Sequence, residues 1–467
     1  MWVAPVLSVF LVLLAGVFTE SAAQSPGNGG DGVWRSARYY GGSDYEFAER
    51  FAVDAQGNAY LLGRTFSSDM HASVAPAASG RGEQASATFV MKIGRDGQTL
   101  YAAPVGTGFT FLPLDIAVGS DGTAHVLARD GDFTHVVKID ASGKEFLYHV
   151  TFNGLDRDPL YPTAIGVDDA GQTVIAGWWS AGLFVARLDA RGNVFDIGNV
   201  PVRADVRDLA VDRAGDAYIV GAIAGEGLPV TTGALQPRYN AGACGPVFPP
   251  LDGPPATSPC PDAFVLKMTR RGELAYATYF GGTGWDEGTT IAVDRTGAAV
   301  IAGLTRSTDL PLARAIQPQC NPGFAPLPCG DAFVAKIDPS GASLVFATYL
   351  GGVDTELVNG IAIDGSGSAY VGGVITGSGL RVHRAIQPTS GGGRLDGFAV
   401  AFGPAGELLW STYVGGSEEE RVVGLGVSSG MVFLGGETTS PAWAVGGGGY
   451  HGARDLFSAG LLDPAAP

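Results

Sequence analysis

The sequence predicts an all-β chain: a seven-bladed β-propeller of four-stranded antiparallel blades, closed by pairing its first strand with its last blade. Three observations lead there. One hairpin phrase is written seven times. A second hairpin phrase follows it in most copies. The two ends of the chain carry complementary fragments of one blade.

The first phrase reads FAVDAQGNAYLLG from Phe51, IAVGSDGTAHVLA from Ile116, IGVDDAGQTVIAG from Ile165 and LAVDRAGDAYIVG from Leu209. It returns as IAVDRTGAAVIAG from Ile291, IAIDGSGSAYVGG from Ile361 and LGVSSGMVFLGG from Leu425. Each copy sets two short runs of β-branched or aromatic residues around an Asp/Gly turn, which is a hairpin. It supplies strands A and B of a blade.

The second phrase supplies strands C and D. It is clearest as DAFVAKIDPSGASLVFATYLGG, from Asp331 to Gly352, with counterparts starting at Asp262 and Asp396. In strand C, Phe333, Ala335 and Ile337 point one way while Ala332 and Val334 point the other. Both faces are largely apolar, so both must be covered. Sheets stacked radially achieve this, each blade packing on its two neighbours. The chain has 72 glycines in 467 residues, about twice the usual ~7% share. That suits tight turns and close strand approach.

The chain enters with RSARYYGG, Arg35 to Gly42, a strand D lacking strands A to C before it. It leaves with DLFSAGLLD, Asp455 to Asp463, a strand C lacking a strand D after it. The first fragment completes the last blade and removes the open edges that invite aggregation. The propeller is expected over residues 35–463, with a short tail at 464–467.

Ahead of it, an apolar run from Trp2 to Phe18 is followed by Ser21-Ala22-Ala23. This reads as a signal peptide, residues 1–23, cleaved before Gln24, with residues 24–34 as a linker. The departure from the pattern is that no Lys or Arg precedes Arg35. The expected location is secreted, periplasmic or cell-surface. No later segment is long and apolar enough to span a membrane.

Such a compartment permits disulfides. Cys244 and Cys260 bracket one Pro-rich insertion, and Cys320 and Cys329 bracket another. Local pairing, Cys244 with Cys260 and Cys320 with Cys329, is the simplest of three connectivities. A four-cysteine zinc site is the rival, but it lacks C-x-x-C spacing and a nearby His. The formal net charge of -17 repels phosphate backbones and anionic lipid, which disfavours nucleic acid as a partner. A monomer binding a protein or a carbohydrate is expected.

Taken together, the phrases resemble the SBBP, or seven-bladed β-propeller, repeat of exported bacterial proteins. The residues that carry the resemblance are the YLGG end of strand D, the IAVD turn of strand A, the QP segment and the DAFVAKIDPSG stretch. It covers nearly all of residues 35–463 and is strongest at Asp262–Gly352. It implies an exported propeller and supplies no catalytic residues.

Strand order puts the D–A and B–C loops on one face, here called the top. The long insertions are all B–C loops: residues 65–88, 224–261, 305–330, 376–395 and 438–454. A binding surface is expected on that face. The D–A loops carry acids after a Gly-Gly pair: Asp44 and Glu46, Asp286 and Glu287, Asp354 and Glu356, and Glu418, Glu419 and Glu420. Each acid caps its own turn through backbone N–H groups, or they gather as oxygen ligands for calcium, or they meet a cationic or sugar ligand. Trp178, Trp179, Trp285 and Trp443 reach the same face. They read either as a sugar platform or as rings sealing the blade interfaces.

The strand A Asp often coexists with a basic residue of strand C: Asp54 with Lys92, Asp168 with Arg187, Asp212 with Lys267, and Asp294 with Lys336. Structural ion pairs are expected there. GVSSG, Gly426 to Gly430, matches a nucleophile elbow but occupies a hairpin turn, not the strand-to-helix turn that motif needs. The six histidines read as packing residues. The expected function is therefore a binding or interaction module. The alternatives are a top-face carboxylate hydrolase, a metal-dependent lyase, or a purely structural cell-surface protein.

Overall fold

The structure is a computed structural model that describes residues 34–70, 86–153, 160–240, 242–244, 258–322, 329–443 and 450–465. The expected signal peptide and all of the expected linker but Trp34 lie outside the described residues, as does His71. No helix among the described residues is long and apolar enough to cross a membrane.

Seven four-stranded antiparallel sheets make the ring. Their innermost strands, A, are Glu46–Val53, Phe111–Val118, Tyr161–Val167, Asp205–Val211, Asp286–Val293, Glu356–Ile363 and Glu420–Ser428. Each packs beside the next, and Glu420–Ser428 returns to Glu46–Val53, so the ring is closed. The strand Trp34–Tyr40 pairs antiparallel with Asp455–Leu462, Ala37 opposite Ala459 and Tyr39 opposite Phe457. The two end fragments thus form the outer half of blade 7.

Strands B and C are buried almost throughout; every residue of Ala87–Ile93 in blade 1 is buried. Between blades 5 and 6, Val334 and Phe346 pack with Val371, Phe398 and Val400 in one apolar layer. Each large side chain fully buried this way contributes about 1.5–3 kcal/mol. Glycine serves the same stacking. Gly341, in the C–D turn of blade 5, has φ 74°, and a methyl there would lie 2.5 Å from the Tyr276 ring of blade 4. Only glycine both takes the left-handed turn and admits that ring. Gly143 seats Tyr101 in the same way between blades 1 and 2.

The four ion pairs form at 3.8 Å (Lys92–Asp54), 4.0 Å (Arg187–Asp168), 3.5 Å (Lys267–Asp212) and 2.9 Å (Lys336–Asp294). In two of these pairs the cation also reaches the A–B turn of the following blade. Arg187 donates to the Gly215 carbonyl and Lys336 to the Gly367 carbonyl. Each of these two residues is thus a strut between neighbours.

The insertions of blades 4, 5 and 6 depart from expectation. Their described residues do not simply project from the top face. Each folds back along the outer strand of its own blade: Ala313 exchanges backbone bonds with Ala347, His383 pairs with Ser411, and the Gln236 carbonyl accepts from Tyr279. Strand D otherwise presents a row of unpaired backbone groups, and the insertion covers it. The QP glutamines complete the arrangement. Gln236, Gln317 and Gln387 accept through Oε1 from Gly281, Gly351 and Gly415, the first glycine of each Gly-Gly pair. Disulfides Cys244–Cys260 and Cys320–Cys329 staple two of these insertions.

Candidate functional site at the upper channel

The acids of the D–A loops divide into two kinds. Glu46, Asp286, Glu356 and Glu420 are fully buried. Each accepts the N–H of the second glycine of its pair, from Gly42, Gly282, Gly352 and Gly416. They hold the turn together and face no solvent. Burial pushes all four carboxyls upward, Glu420 to about 7 and Glu356 to about 8.

The other acids stay near the surface and remain apart. Asp44 accepts from the Tyr45 N–H. Asp354 holds a left-handed φ of 95°. Glu418 takes its place in the turn through a backbone bond to Ser440, and Glu419 sits 3.9 Å from Arg454. Among the described residues no three metal-ligating side chains come together. Glu287 lines the channel cavity, where Arg207 pairs with it at 2.6 Å.

The tryptophans also separate. Trp443 is buried against Trp34 and Phe457, so it seals blade 7 and presents no ring to a ligand. Trp178 is 45% exposed and stacks on Tyr161 at 4.1 Å. Trp179 donates to Asn199. Trp285 donates to Glu287 at 3.4 Å, with the Arg306 guanidinium 5.9 Å from its ring.

Glu287 and Arg207 lead into the channel, which holds residues that the loop pattern does not single out. All seven inner strands carry a β-bulge at the same place, for example between Ala48 and Arg50, Val206 and Asp208, and Gly288 and Thr290. A bulge leaves one residue without a ladder partner and turns it out of the sheet. The freed backbone groups are satisfied by the neighbouring blade. Asp115 accepts from Ile165 at 3.0 Å and Asp208 from Ile291 at 2.8 Å. Thr289 donates to the Val358 carbonyl and Asn359 to the Val422 carbonyl.

Asp115, Asp208, Thr289 and Asn359 line a cavity of 540 Å³ in the channel, together with Arg50, Arg207, Glu287 and Thr290. Arg50 lies 3.6 Å from Asp115. The side chains of Arg50 and Arg207 are 44% and 47% exposed, so each guanidinium keeps donors free for a second partner. Desolvation, with the Asp115 carboxylate second, pushes Asp208 up to about 7. The cavity lining contains no histidine. His125 is buried between Thr123 and Thr173, and His135 and His149 meet at 3.0 Å on the outer strands of blade 2. The one signal in the sequence that could have found the site is the polar pair just before three of the seven IAVD-type phrases: Glu49-Arg50, Arg207-Asp208 and Thr289-Thr290.

A second cavity, of 650 Å³, opens among the A–B turns at the opposite end of the channel. Arg213 and Arg295 line it beside Asp294, Asp364 and Asp463. Those carboxylates already take donors of their own turns and neighbours, among them Lys336, Ser366 and Trp410.

The family model for the SBBP beta-propeller repeat matches residues 345–381, from strand D of blade 5 to just beyond strand B of blade 6. No curated protein matches the sequence. Among solved structures the chain is similar to virginiamycin B lyase from Staphylococcus aureus, at 9% identity and a TM-score of 0.49, covering 92% of this chain and 99% of that one. It is similar to a gluconolactonase from Xanthomonas campestris, at 13% identity and a TM-score of 0.37, covering 83% and 93%. A protein of unknown function from Dyadobacter fermentans shares 11% identity at a TM-score of 0.41, covering 92% and 99%.

Proposed function

We propose that this propeller is an extracytoplasmic binding module that takes a polar, hydroxyl-rich ligand, such as a carbohydrate, at the upper mouth of its channel. The observation that carries the reading is the Arg207–Glu287 pair with Trp285 beside it at the rim of the 540 Å³ cavity. An aromatic face beside charge-bearing donors and acceptors suits a ring that is apolar on its faces and polar at its edge. The two disulfides support an oxidising compartment.

The test is titration calorimetry of the mature chain against a panel of neutral and acidic mono- and oligosaccharides. Binding that weakens at least tenfold in both Arg207→Ala and Trp285→Ala, with folding intact, supports the reading. A panel without binders, or a binder indifferent to both substitutions, overturns it. One observation favours a hydrolase or lyase as second reading: Asp208 and Asp115 both line the cavity, and burial with the second carboxylate pushes Asp208 up to about 7, as suits a general acid or base. Turnover of a bound sugar that is lost in Asp208→Asn would shift the assignment to that reading.

A further inference from the structure

Four blade junctions repeat one arrangement of buried carboxyls. The Asp that opens strand C of one blade faces the acid that opens strand A of the next, across the first glycine of the Gly-Gly pair. The pairs are Asp455 with Glu46 at Gly41, Asp262 with Asp286 at Gly281, Asp331 with Glu356 at Gly351, and Asp396 with Glu420 at Gly415. At three of them a hydroxyl at the end of strand B bonds the strand A acid. Thr65 donates to Glu46, Thr305 and Ser307 to Asp286, and Thr438 to Glu420.

Blade 6 breaks the rule. Register places Ile375 opposite Glu356, where Thr65, Thr305 and Thr438 stand opposite their acids. Two residues on, Gly377 replaces the serine. Glu356 keeps one donor, the Gly352 N–H on Oε1 at 2.9 Å, and its Oε2 has no partner. Asp331 accepts through Oδ2 from Asn321 and Gln317, and its Oδ1 has no partner. Both residues are fully buried. The two unpartnered oxygens converge: a methyl on Gly351 would lie 2.3 Å from Glu356 Oε2 and 2.5 Å from Asp331 Oδ1.

We propose that Asp331 and Glu356 share one proton between these two oxygens, and that this proton locks blade 5 to blade 6. A single proton satisfies both oxygens, because a carboxyl O–H donates and a carboxylate accepts. It also removes one of two buried like charges. A calcium ion takes six to eight oxygens, and only two here are free. The surroundings agree. The charges that act on Glu356 come from Asp331 and Asp354, and both are negative. The Tyr349 hydroxyl is engaged by Leu310 and Ser307, and the Tyr413 hydroxyl by Leu380. Burial and nearby carboxylates push both phenols upward, so they stay neutral.

The sign of the pH effect follows. Burial first, then those two charges, raises Glu356 from 4.5 to about 8. A carboxyl raised in the folded state contributes stability that is complete below its unfolded value and is lost as pH rises through its folded value. The lock therefore weakens between mildly acidic and mildly basic pH.

The experiment is urea unfolding of the mature chain at about pH 5.5 and about pH 8.5, compared between wild type and Glu356→Gln. The Gln side chain keeps the Gly352 bond through its oxygen and donates its amide to Asp331 at every pH. The wild type should lose at least about tenfold more of its folded-to-unfolded ratio over that interval than the variant, about 1.4 kcal/mol. The infrared band of buried protonated carboxyls should lose one component in the variant relative to the wild type, because other carboxyls raised by burial, Glu420 among them, still contribute to it. If Glu356→Gln does not fold, Asp331→Asn offers the same amide from the other side and is read the same way. Equal pH slopes with an unchanged infrared band overturn the proposal. So does a stability gain on adding calcium that Glu356→Gln abolishes, which would put a metal ion where the proton is placed. Neither outcome bears on ligand binding in the channel.

Discussion

Lys336→Met is the sharpest test of how the blades are held together. Lys336 lies in strand C of blade 5 with its side chain 5% exposed. Its ammonium sits 2.9 Å from Asp294 and donates to the carbonyls of Gly367 and Pro404, both in blade 6. Methionine conserves the stem and removes the charge. That leaves Asp294, itself 6% exposed, as an unpaired buried carboxylate. Removing one partner of a buried pair costs about 3–5 kcal/mol, whereas an exposed pair is worth about 0–1 kcal/mol. The two freed carbonyls add to the loss. Burial works to raise Asp294, but hydrogen bonds from Thr296 and Lys336 outweigh it and hold the carboxyl below its usual value. The pair's contribution is therefore present above the ordinary carboxylate range and lost as pH falls. Equilibrium urea unfolding followed by far-UV circular dichroism should show a loss of about 3–5 kcal/mol at neutral pH. The penalty should shrink toward acid, where Asp294 protonates. Lys336→Met combined with Asp294→Asn should recover about 1.5 kcal/mol or more of it, since no bare charge remains. A single-variant loss below about 1 kcal/mol, or a double variant no better than the single, would refute the reasoning.

Two further outcomes follow from the ring. Deleting residues 34–40 removes the outer strand of blade 7 and exposes the edge of Asp455–Leu462; the truncated chain should self-associate and melt earlier, read by light scattering during a thermal ramp. Replacing Cys320 and Cys329 by Ser should cost about 2.5–3 kcal/mol, because the bond closes a loop with a sequence separation of only 9; calorimetry on the variant and on reduced wild type should agree.

The architecture was legible because it is written repeatedly. Strand A and its partners obey one pattern in blade after blade, and the incomplete ends, Arg35–Gly42 and Asp455–Asp463, declare the closure. The ion pairs were legible for the same reason: the Asp after strand A and the cation of strand C recur at the same places in those strands in other copies, whatever the length of the insertion between them. The residues that resisted reading are those whose surroundings the repeat does not state. Trp443 looks like a loop residue in sequence, yet it packs on Trp34, which lies at the other end of the chain. The B–C insertions of blades 4, 5 and 6 look like top-face loops, yet their described residues run back along the open edges of the outer strands. For Glu46, Asp286, Glu356 and Glu420 the sequence allows turn caps, and each does accept a glycine N–H inside its turn; what it does not state is that all four are fully buried.

The same contrast bears on where function should be sought. A residue that recurs from blade to blade answers a need of the blade, so the recurring acids and turn aspartates are explained once the ring is explained. Departures from the repeat have no such explanation. At the bulge, the seven blades offer Glu49, Leu114, Thr163, Arg207, Thr289, Asn359 and Val423, although the backbone requirement there is one and the same. Packing alone selects no such variety, and it least of all selects Arg207 paired with Glu287 beside an open cavity. Ile375 and Gly377 are the equivalent departure at a blade junction: they remove the hydroxyls that neutral packing would favour and leave two carboxyl oxygens facing each other. Substituting Ile375→Thr restores the repeat at that point. The hydroxyl should then bond Glu356 as Thr438 bonds Glu420, lower the carboxyl's tendency to hold a proton, and flatten the pH dependence that the shared proton confers.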